Sequence, residues 1–236
     1  MFSNSKAPRD PSLTETSLLR ASGITGFMTL LSRVLGLARD VVIAQFFGAS
    51  DGADVFFLAN KIPNFMRRLF AEGAFNQAFV PILSEYRSRR DFTEVKNLVA
   101  ATAASLGGTL LLLSTVVMVG APFFAIVIAN GYVDEPAKFD LFVSMLRITF
   151  PYLFLVSMTS LCGAVLNSYG KFAVPAITPA FLNLSLIGAA IILSPLLNTP
   201  ELALAWGVLV AGVAQLFFQL PFLAQIRLLA LPKREP

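Results

Sequence analysis

Four long and nearly uncharged segments constrain the fold of this chain more than any other feature of its sequence. They lie at about residues 97–129, 140–168, 174–197 and 201–225, and the first contains the run LLLLSTVVMVG from Leu110 to Gly120. A helix needs about 20 apolar residues to cross the hydrocarbon core of a bilayer. Each segment therefore predicts one transmembrane helix.

Two more segments, at about residues 20–48 and 53–84, are apolar but carry several charges. Of the 236 residues, 56% are hydrophobic and only 14% are charged, whereas soluble domains have about 25% charged residues. So few charges cannot cover a water-facing surface, which excludes an ordinary soluble enzyme and a disordered chain. We predict an all-α polytopic membrane protein with six transmembrane helices.

These helices divide the chain into three parts. Residues 1–19 are polar and lack the apolar run and small-residue cleavage site of a secretory signal peptide, so they predict a disordered cytoplasmic leader. Residues 20–225 are predicted to form the six-helix transmembrane region, and residues 226–236 a basic cytoplasmic tail.

The basic residues outside the predicted helices, or at the very start of one, indicate how the chain is oriented. Eleven of them fall in segments that a six-helix topology places on one side of the membrane, and only Lys138 falls on the other. The eleven are Lys6, Arg9, Arg20, Arg87, Arg89, Arg90, Lys96, Lys171, Arg227, Lys233 and Arg234. Because Lys and Arg concentrate in cytoplasmic loops, both termini are predicted to be cytoplasmic. The number of helices is then even, which favours six over seven.

Several kinds of chemistry lack the residues that they need. The chain has no histidine, and Cys162 is its single cysteine, so it has no histidine base, internal disulfide or thiolate metal site. We therefore expect no catalytic residue, metal or cofactor in this chain. The net charge is +4. Because the basic residues outside the helices lie mainly on the side predicted to be cytoplasmic, they are explained by membrane orientation, and we expect no nucleic-acid partner.

Six basic residues remain inside the predicted helices, and three acids accompany them in the first two helices. They are Arg33, Arg39, Lys61, Arg67, Arg68 and Arg147, and the acids are Asp40, Asp54 and Glu72. Each cation costs about 2.5–3.5 kcal/mol at the centre of an isolated membrane helix, and such residues normally line a cavity or a transport pathway. Their excess in the first two helices predicts a hydrated cationic cavity for an anion. Arginine suits phosphate because its planar donors bind two oxygens at once.

Helical geometry leaves a structural alternative open for some of these charges. At about 100° per residue, Asp54, Lys61, Arg68 and Glu72 follow one stripe of the second helix. Arg68 and Glu72 are also an i, i+4 pair that can neutralise itself. Arg147 can extend its long side chain toward an interface or a polar neighbour.

Five segments of the sequence carry a family resemblance: SRVLGLARD (Ser32–Asp40), FFGASDGADVFFLANKIPNFMRRLFAEGAFNQAFVPILSEY (Phe46–Tyr86), ITFPYLFL (Ile148–Leu155), VLNSYGKFAVPAITPAFLN (Val165–Asn183) and LALAWGVLVAGVAQLFFQLP (Leu202–Pro221). Together they resemble the MurJ/MviN family of lipid II flippases. The resemblance implies the fold of the multidrug/oligosaccharidyl-lipid/polysaccharide exporters, in which two six-helix lobes alternate access. Because the family's chains are about twice as long, this chain is expected to be the N-terminal lobe alone.

The resemblance also implies a function in peptidoglycan synthesis, in the bacterial cytoplasmic (inner) membrane. The family moves the undecaprenyl-pyrophosphate-linked precursor, lipid II, from the cytoplasmic to the periplasmic leaflet. It implies that Arg33, Arg39 and Arg67 hold the pyrophosphate and that Ser32 lines the same cavity. Asp40, Asp54 and Glu72 are implied gating residues, with Lys61 and Arg68 as further gating or charge-pair candidates. Expected partners are lipid II, membrane lipids and a C-terminal lobe, and a coupling ion or the membrane potential would act on the full-length protein.

Three other functions remain open from the sequence. The chain could belong to an exporter of another lipid-linked oligosaccharide or a drug, although a cationic drug would favour acids in the cavity. It could be a lobe that binds the lipid or a partner lobe without transporting anything. A membrane enzyme acting on pyrophosphate lipids is the least favoured, because it needs a base or metal ligands near the headgroup.

Overall fold

The structure, a computed structural model, describes residues 11–48, 50–68 and 74–228, which fold into helices joined by short connections without a β-strand among them. The α-helices are α1 (Pro11–Phe47), α2 (Asp51–Arg67), α3 (Ala74–Arg89), α4 (Phe92–Val119), α5 (Ala121–Ile128), α6 (Pro136–Thr149), α7 (Pro151–Ser168), α8 (Ala173–Gly188) and α9 (Leu202–Gln225). The all-α class is thereby confirmed.

Four helical segments are long and apolar enough to cross a membrane: Phe92–Val119, Pro136–Ser168, Ala173–Leu196 and Leu202–Gln225. They overlap the four nearly uncharged segments of the sequence. The second joins α6 and α7, because Phe150 keeps a helical backbone and donates its N–H to the Leu146 carbonyl. The third continues α8 through a π-helical turn and a 3₁₀ turn. A total of six membrane-spanning helices remains a prediction.

Two predictions about helix boundaries were wrong. The segment at 97–129 does not continue as one helix, because Gly120 ends α4 and Pro122 lies in the first turn of α5. Proline has no N–H to donate, so the first turn of a helix, where no intrahelical donor is needed, is its most favourable helical position. The polar leader was predicted to be disordered to residue 19, but α1 already begins at Pro11.

The predicted second helix, at 53–84, corresponds to two helices in the structure. Ser50 begins α2, and its side-chain oxygen accepts a hydrogen bond from the Ala53 N–H at 3.2 Å. Asp51 and Asp54 lie in the first turn, where negative charge complements the helix dipole. The chain is helical again from Ala74, and residues 69–73 lie outside the described part.

Glycines allow α9 to pack closely against its neighbours. A Cβ on Gly207 would lie 2.8 Å from the Ala189 Cβ, and one on Gly212 would lie 2.7 Å from the Tyr152 ring. Both residues are buried in the middle of α9. Close approach of backbones through small residues is the usual way in which membrane helices associate. The α9 helix therefore contacts both α7 and α8 along much of its length.

The first two helices pack on different partners. The main partner of α1 is α8, whereas the main partner of α2 is α6. An exposed contact also fixes the start of α2, because Lys138 of α6 bridges Asp51 at 3.2 Å and Glu135 at 2.7 Å. This arrangement leaves a space between α1 and α2.

Candidate functional site: a cavity between the first two helices

The space between α1 and α2 is a cavity of about 220 Å³. Arg39, Asp40 and Ile43 line it from α1, and Phe56, Phe57, Asn60 and Asn64 line it from α2. Tyr152, Leu182, Leu186 and Val208 close it from α7, α8 and α9. The described residues of the cavity therefore combine one cation, one anion and two amides with an apolar wall.

Arg39 is the cationic group of this cavity. Its Nε and Nη2 donate hydrogen bonds to Asp40 Oδ1 at 2.9 and 2.7 Å, and its Nη1 donates to Asn183 Oδ1 at 2.9 Å. The Arg39 side chain is 26% exposed and that of Asp40 is 62% exposed. A guanidinium carries five N–H donors, so two N–H groups of Arg39 are left over from these three bonds.

Asn183 of α8 holds the arginine in place. Its Nδ2 donates a hydrogen bond to the Ser32 carbonyl at 2.9 Å, while its Oδ1 accepts from Arg39. The side chain is only 6% exposed, and it packs beside Gly36, where a Cβ would lie 3.8 Å from Nδ2. One buried amide thus contacts two successive stretches of α1, on either side of Gly36.

The sequence analysis did not select Asn183 as a site residue. A signal was available, because Asn183 is a hydrogen-bonding residue in the middle of an otherwise apolar predicted helix. Asparagine in such a position normally faces a partner helix. Its partner on α1 could not be identified without the tertiary structure.

The structure brings only part of the predicted site together. Arg39 and Asp40 line the cavity. Ser32 lies half-buried about two helical turns before Arg39, where its carbonyl accepts a hydrogen bond from Asn183. Arg33, Asp54, Lys61 and Arg68 are exposed and are not among the residues that line the cavity. The Arg67 side chain and Glu72 lie outside the described residues, so the predicted Arg68–Glu72 pair stays a prediction.

Arg147, the remaining cation of the predicted helices, contacts a neighbouring helix. Arg147 is exposed, and its Nε donates to the Met118 carbonyl of α4 at 3.3 Å. This contact matches the alternative that its long side chain reaches a polar neighbour.

Throughout residues 11–48, 50–68 and 74–228, no three cysteine or carboxylate side chains come together as a potential metal site.

Comparison with known proteins identifies the family. The family model described as lipid II flippase MurJ matches residues 43–235 of this chain. The chain belongs to the lipid II flippase MurJ family. The resemblance carried by the five sequence segments is thereby confirmed.

Individual members of the MurJ family show how much of the molecule is shared. The probable lipid II flippase MurJ of Haemophilus influenzae is 47% identical over 213 residues, which cover 87% of this chain and 42% of the relative. The lipid II flippase MurJ of Burkholderia cenocepacia is 46% identical over 208 residues, which cover 88% of this chain and 40% of the relative. The chain thus spans about two-fifths of the length of these relatives.

A solved structure of a MurJ family member supports the helical arrangement. The structure titled lipid II flippase MurJ, inward closed conformation, matches with a TM-score of 0.65 and 27% sequence identity. The match covers 82% of this chain and 41% of that chain. The all-α membrane fold of this chain is therefore that of the corresponding part of a MurJ flippase.

Proposed function

We propose that this chain is the anion-binding lobe of a lipid II flippase. In this proposal the lobe receives the pyrophosphate-linked headgroup from the cytoplasmic leaflet of the bacterial inner membrane and helps to deliver it to the periplasmic leaflet. The observation that carries the proposal is Arg39, a guanidinium inside a cavity between α1 and α2. Family membership supplies the class of substrate.

The chemistry of Arg39 fits an incoming phosphate group. Its two remaining N–H groups can donate to phosphate oxygens while Asn183 keeps the guanidinium in position. Charge-assisted bonds of this kind are about twice as strong as neutral ones. The positive charge also offsets part of the free energy needed to bring a pyrophosphate into a low-dielectric region.

Asp40 is proposed to act as the gating partner of Arg39. With no anion bound, Asp40 neutralises Arg39 through two hydrogen bonds to the same carboxylate oxygen. A phosphate group competes with this carboxylate for the guanidinium, and the exposed Asp40 side chain is free to turn toward water. When the phosphate group replaces the Asp40 carboxylate on Arg39, substrate binding is linked to a change in the relative position of α1 and α2.

The transport step needs no covalent chemistry. The headgroup occupies the cavity, the lipid tail stays in the bilayer, and rocking against a second lobe exposes the cavity to the other side. Arg33, Arg67 and Ser32 are proposed to extend the headgroup site. Asp54, Lys61, Arg68 and Glu72 are proposed as gating or charge-pair residues, and a coupling ion or the membrane potential would act on the complete transporter.

Substitution of Arg39 in the full-length transporter tests the proposal. Arg39→Ala should abolish growth when the variant is the cell's only flippase of this family, at unchanged protein level in the membrane. Arg39→Lys should restore growth only in part, because lysine keeps the charge but loses the planar pair of donors. Arg89→Ala, which alters an exposed arginine at the end of α3, serves as the matched control.

Normal growth with Arg39→Ala would overturn the assignment of Arg39 to the anion. If growth failed equally with Arg89→Ala, the defect would be due to a general loss of positive charge. Direct binding of labelled lipid II to the purified Arg39→Ala and Arg39→Lys proteins separates a binding defect from a defect in movement.

A further inference from the structure

A long groove follows one face of α7 and adjoins the arginine cavity. Its volume is about 680 Å³, and α7 lines it at successive turns from Tyr152 to Ser168. At the helical rise of about 1.5 Å per residue, these two residues lie roughly 24 Å apart along α7. Tyr152 and Leu182 line the arginine cavity as well. The α7 groove therefore leads from the arginine cavity to the end of α7.

Arg87 of α3 lies at the far end of this groove. Its Nη1 donates a hydrogen bond to the carbonyl of Ser168, and its guanidinium lies 4.0 Å from the centre of the Tyr169 ring. Ser84, one helical turn before Arg87, also lines the groove. A guanidinium has five N–H donors, and the other N–H groups of Arg87 bond to no described residue. They are available to an anion at the mouth of the groove.

The charge of Arg87 is not neutralised, unlike that of the two arginines beside it. Arg89 pairs with Glu85 at 3.2 Å, and Arg90 pairs with Glu94 at 3.6 Å. Arg87 instead contacts a carbonyl and an aromatic ring, and none of the ion pairs among the described residues includes it. Because a cation without an acidic partner keeps its full field, Arg87 attracts anions more strongly than its neighbours do.

A second cation lies just beyond the end of α7. Lys171 is half-buried, and its Nζ donates to Oε1 of Gln225 in α9 at 3.2 Å, which is a neutral partner. The next residue, Phe172, lines the groove. The positive-inside rule predicts that this end of the bundle is cytoplasmic. Two unneutralised cations are thus expected at the surface of the cytoplasmic leaflet.

We propose that Arg87, with Lys171 beside it, is the entry contact for the pyrophosphate of the lipid-linked substrate, and that the α7 groove joins this contact to Arg39. The inference rests on the proposed function. A substrate in the cytoplasmic leaflet carries its pyrophosphate at the membrane surface, whereas Arg39 is held by Asn183 in the middle of the α8 segment. No described residue that lines the groove is acidic, so none of them repels the anion.

An entry contact and an inner binding site predict different kinetics. A charge at the rim of a site mainly changes the association rate and its salt dependence, whereas a buried, hydrogen-bonded charge mainly changes the dissociation rate. Arg87 should therefore control how fast the pyrophosphate arrives, and Arg39 how long it stays. A purely structural role of Arg87 would leave the salt dependence of association unchanged.

Stopped-flow binding of fluorescent farnesyl pyrophosphate to the complete chain in phosphatidylcholine nanodiscs measures both rates. The probe carries a pyrophosphate on a short prenyl chain, and equally labelled farnesol, which has no pyrophosphate, measures partition into the lipid. Arg87→Gln keeps an amide donor for the Ser168 carbonyl but removes the charge. It should lower the association rate constant about three- to tenfold and flatten its salt dependence.

Three further variants provide the controls. Arg87→Lys should associate at close to the parental rate, because the charge is kept. Arg89→Gln is the matched control and should change association little, because Glu85 already neutralises that arginine. Arg39→Ala should mainly speed dissociation.

Thermal melting in the same nanodiscs establishes that each variant is folded, and Lys171→Gln, which should also slow association, decides the matter if Arg87→Gln is not. Parental association in Arg87→Gln, or equal slowing in Arg89→Gln, would overturn the entry contact while faster dissociation from Arg39→Ala upheld the proposed function. No saturable binding by the parent chain would overturn both. If Arg87→Gln lost binding of short-chain phosphatidylglycerol but not of the probe, Arg87 would contact a membrane phospholipid and the inference would be wrong.

Discussion

At the scale of single residues, a buried amide decides how the arginine site is built. Arg39 is held on one side by the carboxylate of Asp40 and on another by Asn183 of α8. Asp40 is its neighbour in the sequence, whereas Asn183 is 144 residues away. The position of the guanidinium is therefore a tertiary property, although the charge itself is a property of α1.

We expect Asn183→Ala to destabilise the protein by about 1–3 kcal/mol, because it removes one bond to a charged group and one to a backbone carbonyl. Arg39 then loses the partner that holds its guanidinium in position, so the affinity of the protein for lipid II should fall as well. Thermal melting and lipid II binding in detergent measure both effects. Asn97→Ala, at an exposed position of α4, should change neither, and a matching loss in that control would remove the special role of Asn183.

At the scale of helices, glycine positions set how close α9 can come to its neighbours. Gly207 faces Ala189 in the π-helical turn after α8, and Gly212 faces the ring of Tyr152 in α7. Tyr152 also lines the arginine cavity. A shift of α9 relative to α7 would therefore change the shape of that cavity.

Gly212→Ala should lower the free energy of unfolding by about 1–3 kcal/mol, the usual cost of overpacking. Gly188→Ala is its matched control in α8, because no atom lies within 4 Å of the position of the new Cβ. Alanine is favoured over glycine by about 1 kcal/mol inside a helix, so this control should be neutral or stabilising. Melting temperatures of the two variants would contradict the packing argument if they fell equally.

The end of α3 is joined to the end of α7 by Arg87. Its Nη1 donates to the Ser168 carbonyl, and its guanidinium lies 4.0 Å from the centre of the Tyr169 ring. A cation–π contact of this kind contributes about 0.5–1 kcal/mol at an exposed site. The contact restrains the end of α3 against the end of α7.

Arg87→Ala should increase amide hydrogen exchange in the last turns of α3, because the contacts to α7 are lost. Arg89→Ala removes only an exposed i, i+4 pair with Glu85, which is worth a few tenths of a kcal/mol. Exchange should therefore change much less in that variant. Equal exchange in both would show that Arg87 does not restrain α3.

At the scale of the whole molecule, the two helices that carry the intramembrane charges are attached to different parts of the bundle. The α1 helix packs on α8 and the α2 helix packs on α6. Relative motion of these two attachments would open or close the arginine cavity without disturbing the contacts of α9 with α7 and α8. This division would allow the gating proposed for the arginine cavity.

Cysteine labelling tests the predicted orientation of the bundle. In a Cys162→Ala background, Val133→Cys should react with a membrane-impermeant maleimide in intact cells, whereas Ser88→Cys should react only after lysis. Val133 and Ser88 are both exposed, so access to the reagent depends on the side of the membrane. The opposite labelling pattern would show that the termini are periplasmic.

The sequence predicted the helical segments better than their ends. Long apolar runs with few charges can only be buried or face lipid, so the last four segments were predictable from hydrophobicity alone. The end of α4 was missed because Gly120 and Pro122 lie within an uninterrupted apolar run. The helical start at Pro11 was missed because a polar segment carries no hydrophobic pattern to indicate it.

The sequence by itself determined that this chain is a helical membrane protein with cations in its first two helices, because apolar length and unfavourable charges are local properties. Only the tertiary structure decided that Arg39, rather than Arg33, lines the cavity with Asp40 and is held by Asn183. It also decided that the amide nitrogens of Gln215 and Gln219 on α9 both donate to Thr178 of α8. These choices depend on which helix faces which neighbour, and that is set by close packing between residues far apart in the chain.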